Sequence, residues 1–401
     1  MTVELLIDRR GPLLRAATVV DGVLTDLQME SAELPSLLGA VFLGRVDRIV
    51  PGLDAAFVDL GGEGRAGLLA LSDIRVPGAA TRKDARAGNK PIGRLLRGGQ
   101  PVLVQVKAEP GGTKGPTLTM DVALAGRFLV ATPLAPGITV SRRLGRAEER
   151  QRLVALVEGV TAGGGWIVRA GAADADPALL EAEAEWLALS WRAVEAAAAG
   201  AAPALLKAPP DAALRAVVEQ GARGLDAVVV EDEAAFAGLA AWAAEAAPDL
   251  AGRITRHRGP APLFERHDLD GAIADLAERV VPLPGGGSIV IDRTEALIAV
   301  DVNGGERGNA LAVNLEAARE IARQLRLRNL GGIVVVDFIG MRAERDRERL
   351  VAELTHAVAD DPSAVQVHGL TRLGLVEMVR PRRGPPVPDL LLAAGRQRPN
   401  L

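Results

Sequence analysis

The sequence predicts a multidomain protein of mixed α+β and α/β architecture, and three observations support this expectation. The chain has 401 residues, of which 48% are hydrophobic, so it can form two to four compact units. Five short apolar segments, separated by turns rich in glycine, predict a small barrel of the OB type between residues 39 and 126. Strand, helix and strand patterns follow one another from 296 to 340 and predict a parallel βαβ unit.

The regions around the barrel have patterns of their own. Residues 1–38 contain apolar runs on both sides of an Asp-Gly dipeptide, which is typical of a hairpin turn. Residues 127–210 contain a short strand, a helix rich in Glu and Arg, and an Ala-rich helix of strong intrinsic propensity. Residues 211–277 alternate helices and short strands, which indicates a modest α/β unit. Prolines and arginines near the end of the chain indicate a tail at 389–401.

Charge and cysteine content restrict the function. With 47 basic and 51 acidic residues the net charge is −4, so any site for a polyanion must be local. The absence of cysteine excludes disulfides and thiolate-bound zinc, and it fits a reducing compartment. Neither a secretory signal nor a membrane-spanning segment is visible, so we expect a cytoplasmic protein. Tyrosine is absent and aromatics total 2%, so arginine planes would have to assist in binding single-stranded nucleic acid.

Each strand of the predicted βαβ unit ends at an aspartate. Asp301 and Asp337 both follow continuous apolar runs, which are typical of strands buried on both faces. A helical pattern at 315–328 separates them, so the strands should be parallel and end at one edge of the sheet, where open α/β folds bind ligands. Two adjacent carboxylates favour a divalent cation such as Mg²⁺. Either aspartate alone is equally explained as a strand-end or N-cap residue.

Eight short motifs follow one another along the chain. They are Val41-Phe-Leu-Gly-Arg-Val, Pro51-Gly-Leu-Asp-Ala-Ala-Phe57-Val-Asp-Leu-Gly, Gly165-Trp-Ile-Val-Arg169, Asp301-Val-Asn303, Asn314-Leu-Glu-Ala-Ala, Ile321-Ala-Arg-Gln-Leu-Arg-Leu-Arg, Gly331-Gly-Ile-Val-Val-Val-Asp337-Phe-Ile and Arg372-Leu-Gly-Leu-Val-Glu-Met. Together they resemble the ribonuclease E/G family of bacterial endoribonucleases. The resemblance covers nearly the whole chain, to about Pro381.

The resemblance implies a specific domain organisation. Residues 1–38 and 211–277 would together form a ribonuclease H-like subdomain. An S1-type OB barrel at 39–126 and a 5′-sensor region at 127–210 would interrupt it. Residues 278–388 would form a DNase I-like α/β catalytic domain, which precedes the tail.

The resemblance also implies an activity and a set of site residues. Asp301 and Asp337 would hold Mg²⁺ for the cleavage of single-stranded RNA to 5′-phosphate and 3′-hydroxyl ends, in RNA decay and rRNA processing. Asn303 would orient a metal-bound carboxylate. In the barrel, Phe57 and Lys114 match RNA-contacting positions. The pocket for the RNA 5′-phosphate would contain Gly126, Val130, Arg169 and Arg372.

Several of these residues have a structural interpretation as well. Phe57 is compatible with the barrel core, and Lys114 with a turn. Arg319 and Arg323, on one helical face with Arg326, either contact RNA phosphates or form a solvated stripe. An RNA-binding or regulatory relative with weak or no cleavage is the alternative function, but it has no need of paired carboxylates. A phosphatase or nucleotide-binding module is disfavoured, because no Gly-x-Gly-x-x-Gly or P-loop lysine accompanies the strands.

The chain departs from the family pattern in four respects. Without cysteine no zinc-linked tetramer is expected, although a homodimer, the family's active unit, remains possible. The loop between Asn303 and Asn314 is shorter than in familiar members. Leu68 replaces an aromatic residue and Gly340 replaces an acid. Ala170 replaces a threonine, and the lost hydrogen bond should weaken monophosphate preference by about 1–2 kcal/mol.

Overall fold

The structure of the protein is a computed structural model that describes residues 1–62, 66–75, 91–109, 115–141, 144, 146–161, 163–220 and 224–395. Its contacts divide the chain into two compact units. The first unit comprises Met1–Ile7 and Ser36–Arg258, and the second comprises Asp8–Pro35 and Gly259–Leu401. The subdomain boundaries inferred from the sequence stay a prediction.

Strands dominate the N-terminal part of the chain. In order, the elements are β1 (Val3–Arg10), β2 (Leu13–Val20), β3 (Val23–Ser31), β4 (Val41–Val50), β5 (Ala55–Asp59), β6 (Gly67–Ala70), α1 (Ile92–Leu95), β7 (Pro101–Ala108) and β8 (Thr117–Thr119). The hairpin of β2 and β3 is confirmed. Its turn residues Asp21 and Gly22 have φ values of 48° and 81°. Positive φ at both positions gives the turn a twist that matches the two strands, which is why this dipeptide predicts a hairpin.

Five of these strands close into the barrel that the sequence predicts. They follow the order β4–β5–β6–β8–β7, and β7 pairs back with β4. Residues from every strand fill one interior, among them Val46, Val58, Leu69, Val104 and Leu118, none more than 1% exposed. Because successive side chains of a strand point to opposite faces, their neighbours are left on the outer surface of the barrel.

The remainder of the first unit combines a second sheet with helices. Its elements are β9 (Leu124–Ala125), β10 (Leu129–Ala131), β11 (Gly137–Val140), α2 (Ala147–Val160), β12 (Gly165–Val168), α3 (Pro177–Ala197), β13 (Ala204–Lys207), α4 (Ala212–Gln220), β14 (Ala227–Val230), α5 (Glu233–Ala246), α6 (Pro248–Ala251) and β15 (Ile254–Arg256). β12 lies between β10 and β11. β1, β14 and β15 are parallel, as the alternating pattern indicates. β13, which the sequence analysis missed, pairs with β4 of the barrel.

The second unit contains a six-stranded sheet. Its remaining elements are α7 (Leu269–Ala274), β16 (Val280–Pro282), β17 (Ser288–Arg293), β18 (Leu297–Asn303), α8 (Ala310–Leu327), β19 (Gly332–Asp337), α9 (Glu344–Ala357), β20 (Gln366–Leu370), β21 (Val376–Arg380) and α10 (Val387–Gly395). The strand order is β16–β17–β18–β19–β21–β20. β18 and β19 pair in parallel, as the βαβ pattern predicts, and the other described pairs of this sheet are antiparallel.

The burial of β18 and β19 differs from the prediction. Their apolar runs suggested strands buried on both faces, but buried and more exposed residues alternate along them. Val300 and Val334 pack into a core with Ile321 of α8 and Leu350 of α9, whereas Ile333 is 50% exposed. The sheet is mixed rather than all-parallel, and a mixed sheet does not require a helix layer on each face.

The end of the chain also differs from the prediction. The segment from 389, expected to be a tail, begins inside α10, and Leu390 is buried. Arg293 donates to both carboxylate oxygens of Asp389, at 2.7 and 3.0 Å. The nearby prolines precede the helix or stand in its first turn, where a missing N–H costs no intrahelical bond. Residues 396–401 of the expected tail lie outside the described residues.

Helix length bears on membrane insertion. A helical crossing needs about 20 predominantly apolar residues. α3, with 21 residues, carries several charged side chains along its length. None of the helices in the described part of the chain combines the length and the apolar composition that a crossing requires.

A buried ion pair secures β21. Arg380 Nε donates to Asp361 Oδ2 at 2.9 Å, and Arg380 Nη1 donates to the carbonyl oxygen of Leu330 at 2.8 Å. The two charged side chains are only 3% and 5% exposed. Burial opposes ionisation of Asp361, but the Arg380 guanidinium and the N–H of Ser363 outweigh it, so the pKa of Asp361 lies below its usual value.

We expect Asp361→Asn to lower the free energy of unfolding by about 3–5 kcal/mol, because the Arg380 charge stays buried without its carboxylate. A carboxylate with a depressed folded-state pKa stabilises the fold above its unfolded pKa, 3.8, and loses that contribution as the pH falls through the folded value. Urea unfolding from neutral pH into the acid range should therefore show a steeper loss for the wild type than for the variant. Parallel curves would contradict this assignment.

Candidate metal centre and ligand-binding surfaces

The two strand-end aspartates of the second unit lie side by side. β18 and β19 pair so that Asp301 stands directly opposite Asp337. Paired residues of neighbouring strands are about 4.8 Å apart and project to the same face of a sheet. Both aspartates are exposed. The proximity predicted from the parallel crossover is thus present in the sheet register.

The surroundings of this pair suit a hard divalent cation. Within the described ranges, no cationic side chain forms an ion pair with Asp301 or Asp337. Asn303 Nδ2 donates to Asp301 Oδ2 at 2.8 Å and so orients that carboxylate. The described residues contain no group of three or more His, Cys, Asp or Glu side chains able to hold a metal. A cation here would therefore have two carboxylates, and Mg²⁺ is commonly held in this way because it keeps several of its waters.

A buried asparagine holds the chain just beyond Asp337. Asn314 Nδ2 donates to the carbonyl oxygen of Ile339 at 2.8 Å, and Asn314 Oδ1 accepts from the Ile339 N–H at 3.0 Å. Asn314 is 0% exposed and lies on α8 among apolar residues such as Val313 and Ala317. In the sequence this residue stands out only as part of a motif. The signal was present, because a polar residue on the apolar face of a helix needs a specific partner.

An ion pair anchors the short loop that follows Asn303. Arg307 Nη1 donates to Glu316 Oε2 at 2.7 Å, while Glu316 Oε1 accepts from the Gly285 N–H at 2.6 Å. The Gly285 N–H and then the Arg307 guanidinium lower the pKa of Glu316. Gly287, with a φ of 86°, approaches this loop so closely that a Cβ would lie 2.4 Å from the carbonyl oxygen of Asn303. The shortened loop is therefore tied to the turn that precedes β17.

Three of the four residues predicted for the 5′-phosphate pocket lie together in the first unit. Arg169 follows β12, and its Nη1 donates to the carbonyl oxygens of Gly126 at 2.6 Å and Val218 at 3.1 Å. Val130 lies on the adjacent strand β10. Arg372 is exposed in the turn between β20 and β21 of the second unit. Backbone carbonyls thus orient the Arg169 side chain, and the role of Arg372 stays a prediction.

A buried carboxylate shapes the turn that carries Gly126. Glu183 of α3 accepts from the N–H groups of Arg127, Phe128 and Leu129 at 2.6, 2.8 and 2.7 Å. Burial raises the pKa of Glu183, and the three N–H donors oppose that shift. A Cβ at Gly126 would lie 2.4 Å from the Glu183 carboxyl carbon, so this position has room only for glycine. Glu183 was not predicted from the sequence, because one acid in a helix with several acids gives no distinct signal.

The outer face of the barrel carries Phe57. This side chain is half-buried, whereas Ala56 and Val58 on either side of it are fully buried, so Phe57 points away from the barrel interior. The Arg48 guanidinium lies over the ring, with its central carbon 5.0 Å from the ring centroid. Lys114, the other predicted RNA contact of the barrel, lies outside the described residues.

The arginines predicted on α8 make contacts within the second unit. Arg319 Nε donates to Glu353 Oε1 at 2.6 Å, between α8 and α9. Arg323 donates through Nη2 to the carbonyl oxygen of Leu24 at 3.1 Å, on the N-terminal hairpin. These bonds favour the structural interpretation of the helix face. Contact between Arg319 or Arg323 and RNA stays a prediction.

Comparison with known proteins identifies the family. A model described as the Ribonuclease E/G family matches residues 123–383, and the chain belongs to this family. Ribonuclease G of Escherichia coli is 35% identical over 393 residues, which cover 95% of this chain and 80% of that protein. Ribonuclease G of Haemophilus influenzae is 33% identical over 390 residues, with 95% and 79% covered. Ribonuclease E of Nostoc sp. is 37% identical over 366 residues, which cover 88% of this chain and 52% of that relative.

The two hydrogen bonds between the Asn314 side chain and the Ile339 backbone can be tested by mutation. Asn314→Leu leaves the N–H and carbonyl of Ile339 without their partners, so the free energy of unfolding should fall by about 1–3 kcal/mol. Amide hydrogen exchange just beyond Asp337 should accelerate in the variant.

Asn309→Ala is the matched control. Asn309 Oδ1 accepts from the Ala312 N–H at 3.1 Å and caps the same helix, so its loss should cost about 1 kcal/mol without accelerating exchange beyond Asp337. If amide hydrogen exchange at Ile339 is unchanged in Asn314→Leu, the hydrogen bonds from Asn314 do not hold this segment in place.

Proposed function

We propose that this protein is a Mg²⁺-dependent endoribonuclease that cleaves single-stranded RNA. That it is an endoribonuclease of the ribonuclease E/G type follows from its family and from the length of the matches to ribonucleases G and E. The observation that supports the metal-dependent chemistry is the pairing of Asp301 with Asp337, two exposed carboxylates without a cationic partner among the described residues.

The site residues have distinct tasks in this proposal. Asp301 and Asp337 would hold the cation, and the hydrogen bond from Asn303 would orient the Asp301 carboxylate. Mg²⁺ at these residues would supply Lewis-acid chemistry, which polarises a phosphodiester and makes water more acidic. Hydrolysis adds the water oxygen to phosphorus and breaks the bond to the 3′ oxygen. The products therefore carry a 5′-phosphate and a 3′-hydroxyl.

The remaining predicted residues would position the RNA. Phe57 and Lys114 would contact the strand on the barrel, and Arg169 would hold the 5′-phosphate by a charge-assisted fork. Gly126 and Val130 would line that pocket. Arg169 donates hydrogen bonds to the carbonyl oxygens of Gly126 and Val218. These bonds restrict the position of its guanidinium, which supports this role.

Further parts of the proposal rest on the family alone. They are a ribonuclease H-like and a DNase I-like subdomain, a place in RNA decay and rRNA processing, a cytoplasmic location and a homodimeric active unit. Arg372 as a second phosphate ligand, and Arg319 and Arg323 as RNA contacts, belong with them.

Neutralising either aspartate tests the metal chemistry. Asp301→Asn and Asp337→Asn keep side-chain size but remove one charge, so we expect cleavage of a 5′-monophosphorylated A/U-rich strand in Mg²⁺ to fall by about 10³-fold or more, since metal stabilisation is worth several kcal/mol. RNA binding should persist. The rates are measured on denaturing gels.

Asp292→Asn is the matched control for this assay. Asp292 is a half-buried aspartate on β17 that is paired with Arg279, so its loss should leave cleavage within a few-fold of wild type. If the wild type binds the RNA but cleaves it no more than the two aspartate variants do, the protein is an RNA-binding relative with weak or no cleavage.

The 5′ end of the substrate tests the pocket. We expect the wild type to cleave a 5′-monophosphorylated strand with higher kcat/KM than its 5′-hydroxyl form, and Arg169→Ala to remove the difference. Ala170→Thr supplies one further hydroxyl and should widen the ratio by about 5- to 30-fold, equivalent to about 1–2 kcal/mol. Equal ratios in wild type and Arg169→Ala would exclude a selective role for this arginine.

A further inference from the structure

We propose that Arg48 and Phe57 form a composite stacking platform, on the outer face of the barrel, for one base of single-stranded RNA. The proposal rests on the RNA-binding part of the proposed function. In this proposal the Arg48 guanidinium serves as a second stacking surface beside the Phe57 ring.

Strand register brings the platform together. β4 and β5 pair with Arg48 opposite Phe57, and β5 and β6 pair with Phe57 opposite Leu68. The three residues form one row across the sheet, with Thr117 of β8 next to Leu68. Side chains directly opposite one another on neighbouring strands interact on the same face. The row therefore presents a cation, a ring and an aliphatic side chain to the outside.

The Arg48 guanidinium is placed for stacking. Its central carbon lies 5.0 Å from the centroid of the Phe57 ring, within the distance of a cation–π contact. Arg48 is exposed, and among the residues that the structure describes it makes neither a hydrogen bond nor an ion pair. A guanidinium is planar, and bases stack on such planes as they do on aromatic rings. The Arg48 side chain thus lies over the Phe57 ring and remains exposed, so that a base can reach it.

A second arginine of the same strand shows the contrast. Arg45 Nη1 donates to the carbonyl oxygen of Gly99 at 2.9 Å, and its Nη2 donates to that of Ala202 at 2.7 Å. These bonds hold the Arg45 guanidinium against the backbone. The Arg48 guanidinium has no such bond in the described part of the chain, so stacking on Phe57 is its defined contact.

The composition of the barrel explains why a guanidinium is needed. Residues 39–126 contain two aromatic side chains, Phe42 and Phe57. Phe42 is 7% exposed and packs in the barrel core. Leu68, beside Phe57, has no π-face. Phe57 alone would offer a single stacking surface, and the plane of Arg48 extends it while adding a charge that attracts the RNA backbone.

The test measures the dissociation constant of the full-length protein for a short, 5′-labelled A/U-rich RNA, by fluorescence anisotropy in EDTA to prevent cleavage. Arg48→Lys keeps the charge and removes the plane, so we expect the Kd to rise on the order of tenfold. Arg94→Ala removes another exposed arginine of the barrel and should change the Kd far less. The double variant Arg48→Lys/Leu68→Phe, which supplies an aromatic ring in the same row, should recover most of the affinity.

An abasic series separates stacking from charge. Single abasic nucleotides are placed along the strand. In the wild type one position should raise the Kd on the order of tenfold, and the same substitution should have little further effect on Arg48→Lys. Thermal unfolding of each variant controls for loss of fold, and only variants with the wild-type midpoint are compared.

Two results would overturn the proposal in distinguishable ways. In the first, Arg48→Lys has the wild-type Kd, whereas Arg48→Ala has a higher Kd that depends less steeply on salt concentration. That result would mean that Arg48 contacts a phosphate rather than a base. If the wild type binds no single-stranded RNA at all, the proposed function fails together with the platform.

Discussion

The parallel pairing of β18 and β19 is the constraint on which the candidate centre depends. It places Asp301 opposite Asp337, so that two carboxylates lie side by side on the same face of the sheet. Contacts with α8 fix the chain next to both strand ends. Asn314 holds the chain beyond Asp337, and the Arg307–Glu316 pair holds the loop after Asn303. A divalent cation at this edge would be held by both carboxylates.

Arginine has two separate uses in this protein. Buried arginines join elements within a unit: Arg127 reaches Asp249 of α6, and Arg380 reaches Asp361. Removing one partner of such a pair is destabilising, because the other charge stays buried without a counter-charge or water around it. Arg48 is different, since it is exposed and its described contact is the ring of Phe57. In a chain with 2% aromatics, this second use gives the barrel a surface that can recognise unstacked bases.

Local patterns predicted most of the elements, because turn chemistry and apolar periodicity act over a few residues. The Asp-Gly hairpin, the five barrel strands and the βαβ crossover were all predicted in this way. Two predictions failed for a common reason. The exposed face of β19 and the burial of Leu390 in α10 depend on which elements pack nearby, and no local pattern carries that information.

The sequence by itself indicated the candidate centre: two aspartates at the ends of strands joined by a helix should lie at one sheet edge, because a parallel crossover puts the C-terminal ends of both strands on the same side. The tertiary structure alone decided what supports and surrounds that centre. Glu183 lies 54 to 56 residues from the N–H groups that it binds, and Asn314 lies 25 residues from Ile339. The stacking of Arg48 on Phe57 likewise required the register between two strands. Such contacts arise from packing between distant segments, and the residues beside each partner in the chain do not reveal them.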